Sequence, residues 1–145
     1  MKFISYKKGY KYQLHTQYIV ATNICPENDV PSESGYIHLS SSGVITIEKG
    51  YAWDGPSGPT VDTKNFMRGS LVHDAFYQMM REGALPQDYR LPADELLRSM
   101  CKEDGMSGLR RWWVYKGVRL FAKKAAMEKS KKELEYAPKN FDESS

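Results

Sequence analysis

The first third of the chain alternates between apolar and polar residues, which is typical of β-strands with one buried face. Between residues 10 and 20 one parity is rich in tyrosine, leucine, threonine and valine, and the other is polar except for Ile19. Two apolar runs, 36–39 and 44–47, flank three serines and Gly43 and predict a β-hairpin. Residues 26–35 are turn formers and predict a loop or an ordered crossing. These connections are too short for a helical crossover, so we expect an antiparallel sheet.

The second half of the chain has helical periodicity. The predicted helices cover residues 64–81, about 92–105, and 108 to beyond 124. Gly83 is placed to end the first helix, and Ser107 is placed to cap the third. Core spacing in the third helix predicts a buried face formed by Leu109, Trp113, Gly117, Leu120 and Phe121. We therefore expect an α+β domain, in which an N-terminal antiparallel β-sheet of about three to five strands packs against about three C-terminal helices.

The length and composition favour one domain with its own core. The chain has 145 residues, 41% of them hydrophobic, and contains no apolar run long enough to span a membrane. We predict a single domain over residues 1–135 and a polar, flexible tail over residues 136–145. The N-terminus lacks the apolar stretch of a secretory signal, and Cys25 and Cys101 form no disulfide framework or metal knuckle. These features favour a cytoplasmic protein with two reduced thiols.

The overall charge of +3 conceals a basic segment that begins in the third predicted helix. Residues 105–132 contain nine Lys or Arg against one Glu, a net of +8, which leaves −5 for the rest of the chain. Cations beside Trp112 and Trp113 could bind single-stranded nucleic acid through the stretch from Arg110 to Lys132. We favour a packed helix with a solvated basic face over nucleic-acid binding. Basic helices also lie on anionic membranes, but this needs a freer apolar face than a packed helix offers.

The first candidate site residues lie at the junction between the two halves of the chain. Residues 50–60 combine three glycines with two prolines, so they predict a shaped loop that displays Asp54 and Ser57. A site requires such a loop, because reacting groups must be held in place. The alternative is a structural turn in which Asp54 caps backbone N–H groups.

The first predicted helix carries a second polar group. Ser70, His73 and Tyr77 share one stripe, and Asp74 lies three residues before Tyr77. Asp94, near the start of the next helix, is expected to face this group. One imidazole and three carboxylates suit a hard or borderline divalent ion, with Asp54, His73, Asp74 and Asp94 as ligands. The alternative is a hydrogen-bonded His73 inside the core, with Asp74 as a cap or as an ion-pair partner of Arg81.

Four sequence blocks, taken in order and spacing, resemble a family known mainly from phages and prophages, domain of unknown function 1353. The blocks are residues 53–59 (WDGPSGP), 71–77 (LVHDAFY), 92–97 (PADELL) and 110–121 (RRWWVYKGVRLF), and the resemblance covers about residues 44–122. The family's polar pattern falls on Asp54, Ser57, Pro59, His73, Asp74, Tyr77 and Asp94. The resemblance implies a small phage-type protein of the infected bacterial cytoplasm, and it brings no assigned activity.

Two hypotheses from different classes follow. The first, which we adopt, is a small hydrolase acting on an ester, amide or phosphoester, with or without a divalent metal ion. Its catalytic residues would be Asp54, Ser57, His73, Asp74 and Tyr77, and its metal ligands would be Asp54, His73, Asp74 and Asp94. The second is a non-enzymatic phage accessory or host-interaction protein, in which the same residues form a structural network and a host or phage protein is the partner.

Overall fold

Two small antiparallel sheets form the N-terminal half of the structure, a computed structural model that describes residues 4, 6–7, 12–53 and 64–126 (for 6–7 and 121–126, the backbone alone). The described strands are β1 (Tyr6–Lys7), β2 (Tyr12–Leu14), β3 (Tyr18–Ala21), β4 (Val30–Pro31), β5 (Ile37–Leu39), β6 (Val44–Ile47) and β7 (Ala52–Trp53). One sheet has the order β1-β2-β7 and the other β3-β6-β5-β4. All described pairs are antiparallel, as expected.

The predicted strand between residues 10 and 20 is interrupted. The chain bends at residues 15–17, so β2 and β3 belong to different sheets. The predicted parity is confirmed on both sides of the bend, because Tyr12, Leu14 and Tyr18 are buried while Gln13 and Gln17 are exposed. Periodicity shows which side chains are buried, but it does not show where a strand changes its partner.

The hairpin β5–β6 is confirmed. Gly43 closes it with φ +90°, and a Cβ at this position would lie 2.4 Å from the carbonyl oxygen of Thr22. Only glycine tolerates both this backbone conformation and this close approach. The turn-forming segment before the hairpin contains β4, which pairs with β5 and makes the segment an ordered crossing.

Three helices form the second half and confirm the α+β class. They are α1 (Lys64–Arg81), α2 (Arg90–Glu103) and α3 (Gly108–Ala126), and a 3-10 turn (Gln87–Tyr89) precedes α2. Gly83, with φ +79°, follows the end of α1, and the Ser107 hydroxyl accepts from the Arg110 amide at the start of α3. Both predicted boundaries are therefore confirmed.

One continuous core joins the sheets to α1. Its central members are fully buried and come from both sheets and α1, among them Leu14, Leu39, Ile45, Trp53, Leu71, Phe76 and Met80. A smaller apolar cluster joins α1, α2 and α3 through Phe66, Leu97, Cys101, Met106 and Val114. At Gly69 of α1 an added Cβ would lie 2.9 Å from Leu97 Cδ1, so this glycine allows α2 to approach α1 closely.

The predicted buried face of α3 is wrong. Leu109, Trp113 and Leu120 are 73%, 59% and 71% exposed, and Val114 and Val118 form the packed face instead. Within the described part of the chain, nothing lies within 4 Å of a Cβ placed at Gly117, so this glycine serves no close packing. The side chain of Phe121 lies outside the described residues. The helix has two apolar stripes, and the smaller one, formed by Val114 and Val118, is the one that packs against α1 and α2.

No helix among the described residues is both long enough and apolar enough to cross a bilayer. The predicted tail, residues 136–145, and the end of the predicted domain lie outside the described residues.

Candidate functional site

The polar side chains of α1 face two different neighbours. His73 and Tyr77 point towards α2, where both contact Asp94. Ser70 and Asp74 contact the end of the β1-β2-β7 sheet, through Trp53 and the adjacent Tyr51. A helix rotates by about 100° per residue, so the adjacent residues His73 and Asp74 serve separate groups.

Asp94 is the centre of the first group. Its side chain is fully buried, and its Oδ1 lies 2.6 Å from His73 Nε2 and 2.6 Å from the Tyr77 hydroxyl. Its Oδ2 accepts from Arg119 Nη1 of α3 at 2.8 Å. Three helices therefore meet at one carboxylate, and both of its oxygens are occupied by donors.

These contacts keep Asp94 ionised. Burial alone would raise its pKa, but hydrogen bonds from His73 and Tyr77 and the pairing with Arg119 outweigh burial and lower the pKa below its ordinary value. Burial and the hydrogen bond to Asp94 raise the pKa of Tyr77, so its hydroxyl stays protonated and donates. The buried negative charge is therefore stable at neutral pH.

The state of Asp94 determines how His73 is held. An ionised carboxylate can only accept, so His73 Nε2 carries the proton of this hydrogen bond. Nδ1 has no hydrogen-bond partner among the described residues, where every fully buried side-chain nitrogen and oxygen has one. The His73 side chain is 12% exposed, and in the neutral imidazole Nδ1 presents a lone pair. The ring packs against Tyr77, with centroids 4.2 Å apart, which fixes its orientation.

The second group ties α1 to the sheet. The buried Tyr51 hydroxyl donates to Asp74 Oδ2 at 2.8 Å, and burial together with this carboxylate raises its pKa well above the ordinary value. The Trp53 indole N–H donates to Ser70 Oγ at 3.2 Å, and the Tyr51 and Trp53 rings stack. This group therefore fixes the point where the chain leaves β7 for residues 54–63.

The predicted site residues divide accordingly. His73, Tyr77 and Asp94 come together as expected, while Asp74 belongs to the neighbouring group with Tyr51. Asp54 and Ser57 lie outside the described residues. Among the residues that are described, no three His, Cys, Asp or Glu side chains are grouped so that they could hold a metal ion. The predicted four-ligand metal site, which includes Asp54, stays a prediction.

Sequence reasoning missed two contributors, Arg119 and Tyr51. The sequence pattern places Arg119 on a solvated basic face, yet it pairs with the most deeply buried carboxylate of the described chain. Nothing in its local pattern distinguishes it from Arg110 or Lys116, because the distinction depends on how α3 crosses α2. Tyr51 had a weak signal, since it immediately precedes the strand that enters the candidate loop.

Comparison with known proteins gives a family. No curated protein and no solved structure matches the chain. A family model described as "Protein of unknown function (DUF1353)" matches residues 29–118, which is more than half of the 145 residues. The match includes Ser70, His73, Asp74 and Tyr77 of α1 and Asp94 of α2, and it ends one residue before Arg119. The chain therefore belongs to the DUF1353 family.

Proposed function

We propose that this protein is a small hydrolase in which His73 is the general base. One observation carries the proposal: the imidazole is bound through Nε2, at 2.6 Å, to a buried ionised carboxylate, while Nδ1 has no partner among the described residues. An imidazole oriented by a carboxylate and open at its other nitrogen is the arrangement used for general-base catalysis. Mutual geometry of base and orienting group is the first requirement of such a site.

The proposed step moves one proton. A water molecule, or the Ser57 hydroxyl, attacks the carbonyl carbon or phosphorus of the substrate and transfers its proton to His73 Nδ1. The Nε2 proton stays in its bond to Asp94, whose charge stabilises the imidazolium. The proton on Nδ1 is then delivered to the leaving group. Where Ser57 is the attacking group, a water molecule next attacks the resulting ester of Ser57, gives its proton to Nδ1, and Nδ1 returns that proton to Ser57 Oγ. Tyr77 and Arg119 act as positioning residues, because both donate to Asp94.

The loop that follows β7 supplies the remaining groups in this proposal. The chain enters residues 54–63 from Trp53, whose indole is bonded to Ser70, one turn before His73 on α1. It leaves them at Lys64, the first residue of α1. Both ends of the segment are thus attached to the helix that carries the base. Ser57 is the proposed nucleophile or substrate-positioning group, and Asp54 and Asp74 hold the loop and substrate in place.

Turnover measurements test the proposal. A panel of chromogenic carboxylic esters, anilides and phosphoesters is incubated with the wild-type protein, His73→Gln and Asp94→Asn. We expect His73→Gln to lower kcat/KM by about 10²–10⁴-fold. The matched control is His38→Gln, because His38 is an exposed histidine on β5. Wild-type protein without activity on any class, or a folded His73→Gln variant with full activity, contradicts the proposal.

A metal-assisted hydrolase is the alternative form of this proposal, in which His73 would hold the ion through Nδ1 and would not act as the general base. His73 Nε2 and both Asp94 oxygens already take part in hydrogen bonds, so His73 Nδ1 and the Asp54 carboxylate would be the ligands. Asp94 would orient the histidine through its hydrogen bond to Nε2. A ligand at a hundredfold excess over its dissociation constant adds about 2.7 kcal/mol of stability. Mn²⁺, Mg²⁺ or Zn²⁺ should then raise the Tm of wild type and His38→Gln, but not of His73→Gln. Equal shifts in all three proteins contradict a metal at this site.

A second candidate function is that of a non-enzymatic accessory or host-interaction protein. The observation that favours it is the complete pairing of Asp94 inside the protein, with three donors on two oxygens. Such a network can fix the geometry of three helices without any reaction. Under this function the wild-type protein turns over none of the substrates, and His73→Gln leaves partner binding unchanged, while Asp94→Asn lowers stability as it also does for the hydrolase. The hydrolase and this function therefore differ in whether the wild-type protein shows turnover that His73→Gln lowers.

The cellular context is proposed from the resemblance to phage and prophage proteins. We place the protein in the cytoplasm of an infected bacterium, where a small hydrolase would act on a host or phage molecule. Expression timing after phage induction, followed with an antibody against the protein, checks this placement. A protein found outside the cytoplasmic fraction would contradict it.

A further inference from the structure

The outward face of α3 carries the most exposed large apolar side chains of the described residues. We call it the outer stripe of α3, and it consists of Leu109, Trp112, Trp113, Lys116 and Leu120. Its four apolar members are between 53% and 73% exposed, whereas the other exposed large apolar residues, on other elements, reach at most 44%. Soluble proteins rarely expose such residues together unless the patch binds something.

The stripe is continuous along the helix. Leu109, Trp113, Lys116 and Leu120 follow the spacing i, i+4, i+7 and i+11, which places them on one side of α3. Val114 and Val118 pack inwards on the opposite side. The helix is therefore attached to the domain through one face while it presents a second apolar face outwards. This is the free apolar face that a helix on a membrane surface requires.

Charge indicates the kind of partner. Lys116 is exposed in the middle of the stripe, with its Nζ 6.0 Å from the centroid of the Trp112 ring. The surrounding sequence, residues 105–132, carries a net charge of +8. Two stripes that each have Lys116 at the centre and lie within so basic a sequence would repel each other, which disfavours a symmetric dimer through α3. An anionic partner is attracted to it.

The apolar members favour lipid over nucleic acid. Leu109 and Leu120 are the most exposed of them, and an aliphatic side chain offers a base neither stacking nor a hydrogen bond. The Trp112 and Trp113 rings are nearly perpendicular, at 85°, so they form no platform for successive parallel bases. Tryptophan, leucine and lysine together are typical of helices at the bilayer interface.

From this we propose that the outer stripe of α3 binds the surface of anionic phospholipid bilayers. The helix lies parallel to the membrane, with Trp112, Trp113 and the two leucines at the boundary between headgroups and acyl chains. Lys116 extends towards the lipid phosphates. The protein binds as a peripheral partner of the bilayer, and Val114 and Val118 keep the opposite face of the helix packed on the domain.

Vesicle binding tests the proposal with the full chain. The probes are vesicles of phosphatidylcholine alone and vesicles with phosphatidylglycerol at about 30%. We expect co-sedimentation with the anionic vesicles, weaker binding at higher ionic strength, and a shift of tryptophan emission to shorter wavelength. The emission reports on the stripe, because the third tryptophan, Trp53, is already buried.

Variants assign the binding to the stripe. Trp113→Ser and Leu120→Ser should each weaken binding to the anionic vesicles by about tenfold or more, since each removes a large apolar side chain from the lipid contact. Leu91→Ser is the matched control, because Leu91 is a 44% exposed leucine on α2. Circular dichroism should show that all three variants are folded, since the substituted residues are exposed.

Three results would overturn the proposal. The first is wild-type protein that binds neither kind of vesicle. The second is unchanged vesicle binding by both Trp113→Ser and Leu120→Ser. The third is binding of single-stranded oligothymidylate, or self-association, that depends on the stripe in the absence of vesicle binding. That third result would assign the stripe to nucleic acid or to a second copy of the chain.

Discussion

Asp94 shows how much of the candidate site depends on one side chain. Its two oxygens receive donors from α1 and α3, while its own backbone belongs to α2. An asparagine at this position could accept at one atom only and would present an amide N–H₂ to a donor. The whole three-helix junction therefore depends on a carboxylate rather than on a residue of similar shape.

We expect Asp94→Asn to lower the free energy of unfolding by about 3 kcal/mol at pH 7. The folded pKa of Asp94 lies below its ordinary value, so its charge stabilises the protein above the unfolded pKa of about 3.9. This stabilisation is lost as the pH falls through the folded pKa. Urea denaturation at pH 7 and pH 3 should show the difference between wild type and variant shrinking at the lower pH.

The matched control for this comparison is Asp88→Asn, because Asp88 is exposed in the 3-10 turn. Its effect should stay within about 0.5 kcal/mol. A difference for Asp94→Asn that is equal at both pH values would contradict the assigned charge state.

The two cysteines differ in reactivity for a physical reason. Cys25 is exposed, whereas Cys101 is buried between α1, α2 and α3, and burial raises the pKa of its thiol to about 12. The thiolate is the reactive form. A thiol reagent should therefore modify one cysteine in the native protein and both in denaturant. Cys25→Ser should abolish the native reaction, and rapid native modification of Cys101 would contradict its burial.

At the scale of elements, two helical glycines have opposite surroundings. A Cβ at Gly69 would lie 2.9 Å from Leu97 Cδ1 and 3.3 Å from Cys101 Sγ, while a Cβ at Gly117 meets no described atom within 4 Å. Gly69→Val should therefore lower the free energy of unfolding by about 1–3 kcal/mol, by separating α1 from α2. Gly117→Ala should raise it by about 0.5–1 kcal/mol, by improving helix propensity.

Thermal denaturation of both variants checks this pair. The two substitutions are expected to change the free energy of unfolding in opposite directions, so each variant is the control for the other. Stabilisation by Gly69→Val, or a loss caused by Gly117→Ala, would show that the helix contacts differ from those described here.

At the scale of the whole molecule, Arg68 connects the sheet layer to the helices. Its side chain is buried, and its guanidinium forms a bidentate pair with Asp104 at the end of α2. It also donates to the Tyr18 hydroxyl of β3 at 3.1 Å. Burial opposes its charge, but the bonds to Asp104 and Tyr18 outweigh burial and raise its pKa.

We expect Arg68→Gln to lower the free energy of unfolding by about 3 kcal/mol, since it removes the bidentate donor of Asp104 and the hydrogen bond to the Tyr18 hydroxyl. Arg98→Gln is the matched control, because Arg98 is exposed and its guanidinium lies over the Tyr115 ring, 4.3 Å from the ring centroid. Its cost should be less than about 1 kcal/mol. Urea denaturation of both variants measures the difference, and equal effects would show that Arg68 does not join the layers.

The sequence predicted only part of the candidate site, because helical spacing shows which residues share a face but not which residues of other elements they contact. Helical spacing placed His73 and Tyr77 on one stripe, and the short connection to α2 brought Asp94 opposite them. Spacing could not show that Asp74 turns towards Tyr51, because this depends on where β7 lies beside α1. Arg119 could not be chosen among the basic residues of α3, because its partner comes from another helix.

The sequence alone predicted the local features of the fold. Backbone preferences and capping set the bounds of α1, the β5–β6 hairpin and the start of α3, because these depend on residues close together in the chain. The tertiary structure decided which of the two apolar stripes of α3 is buried, since either stripe has helical periodicity. It also divided the strands between two sheets and placed Arg119 on Asp94. Those features depend on contacts between residues that are distant in sequence.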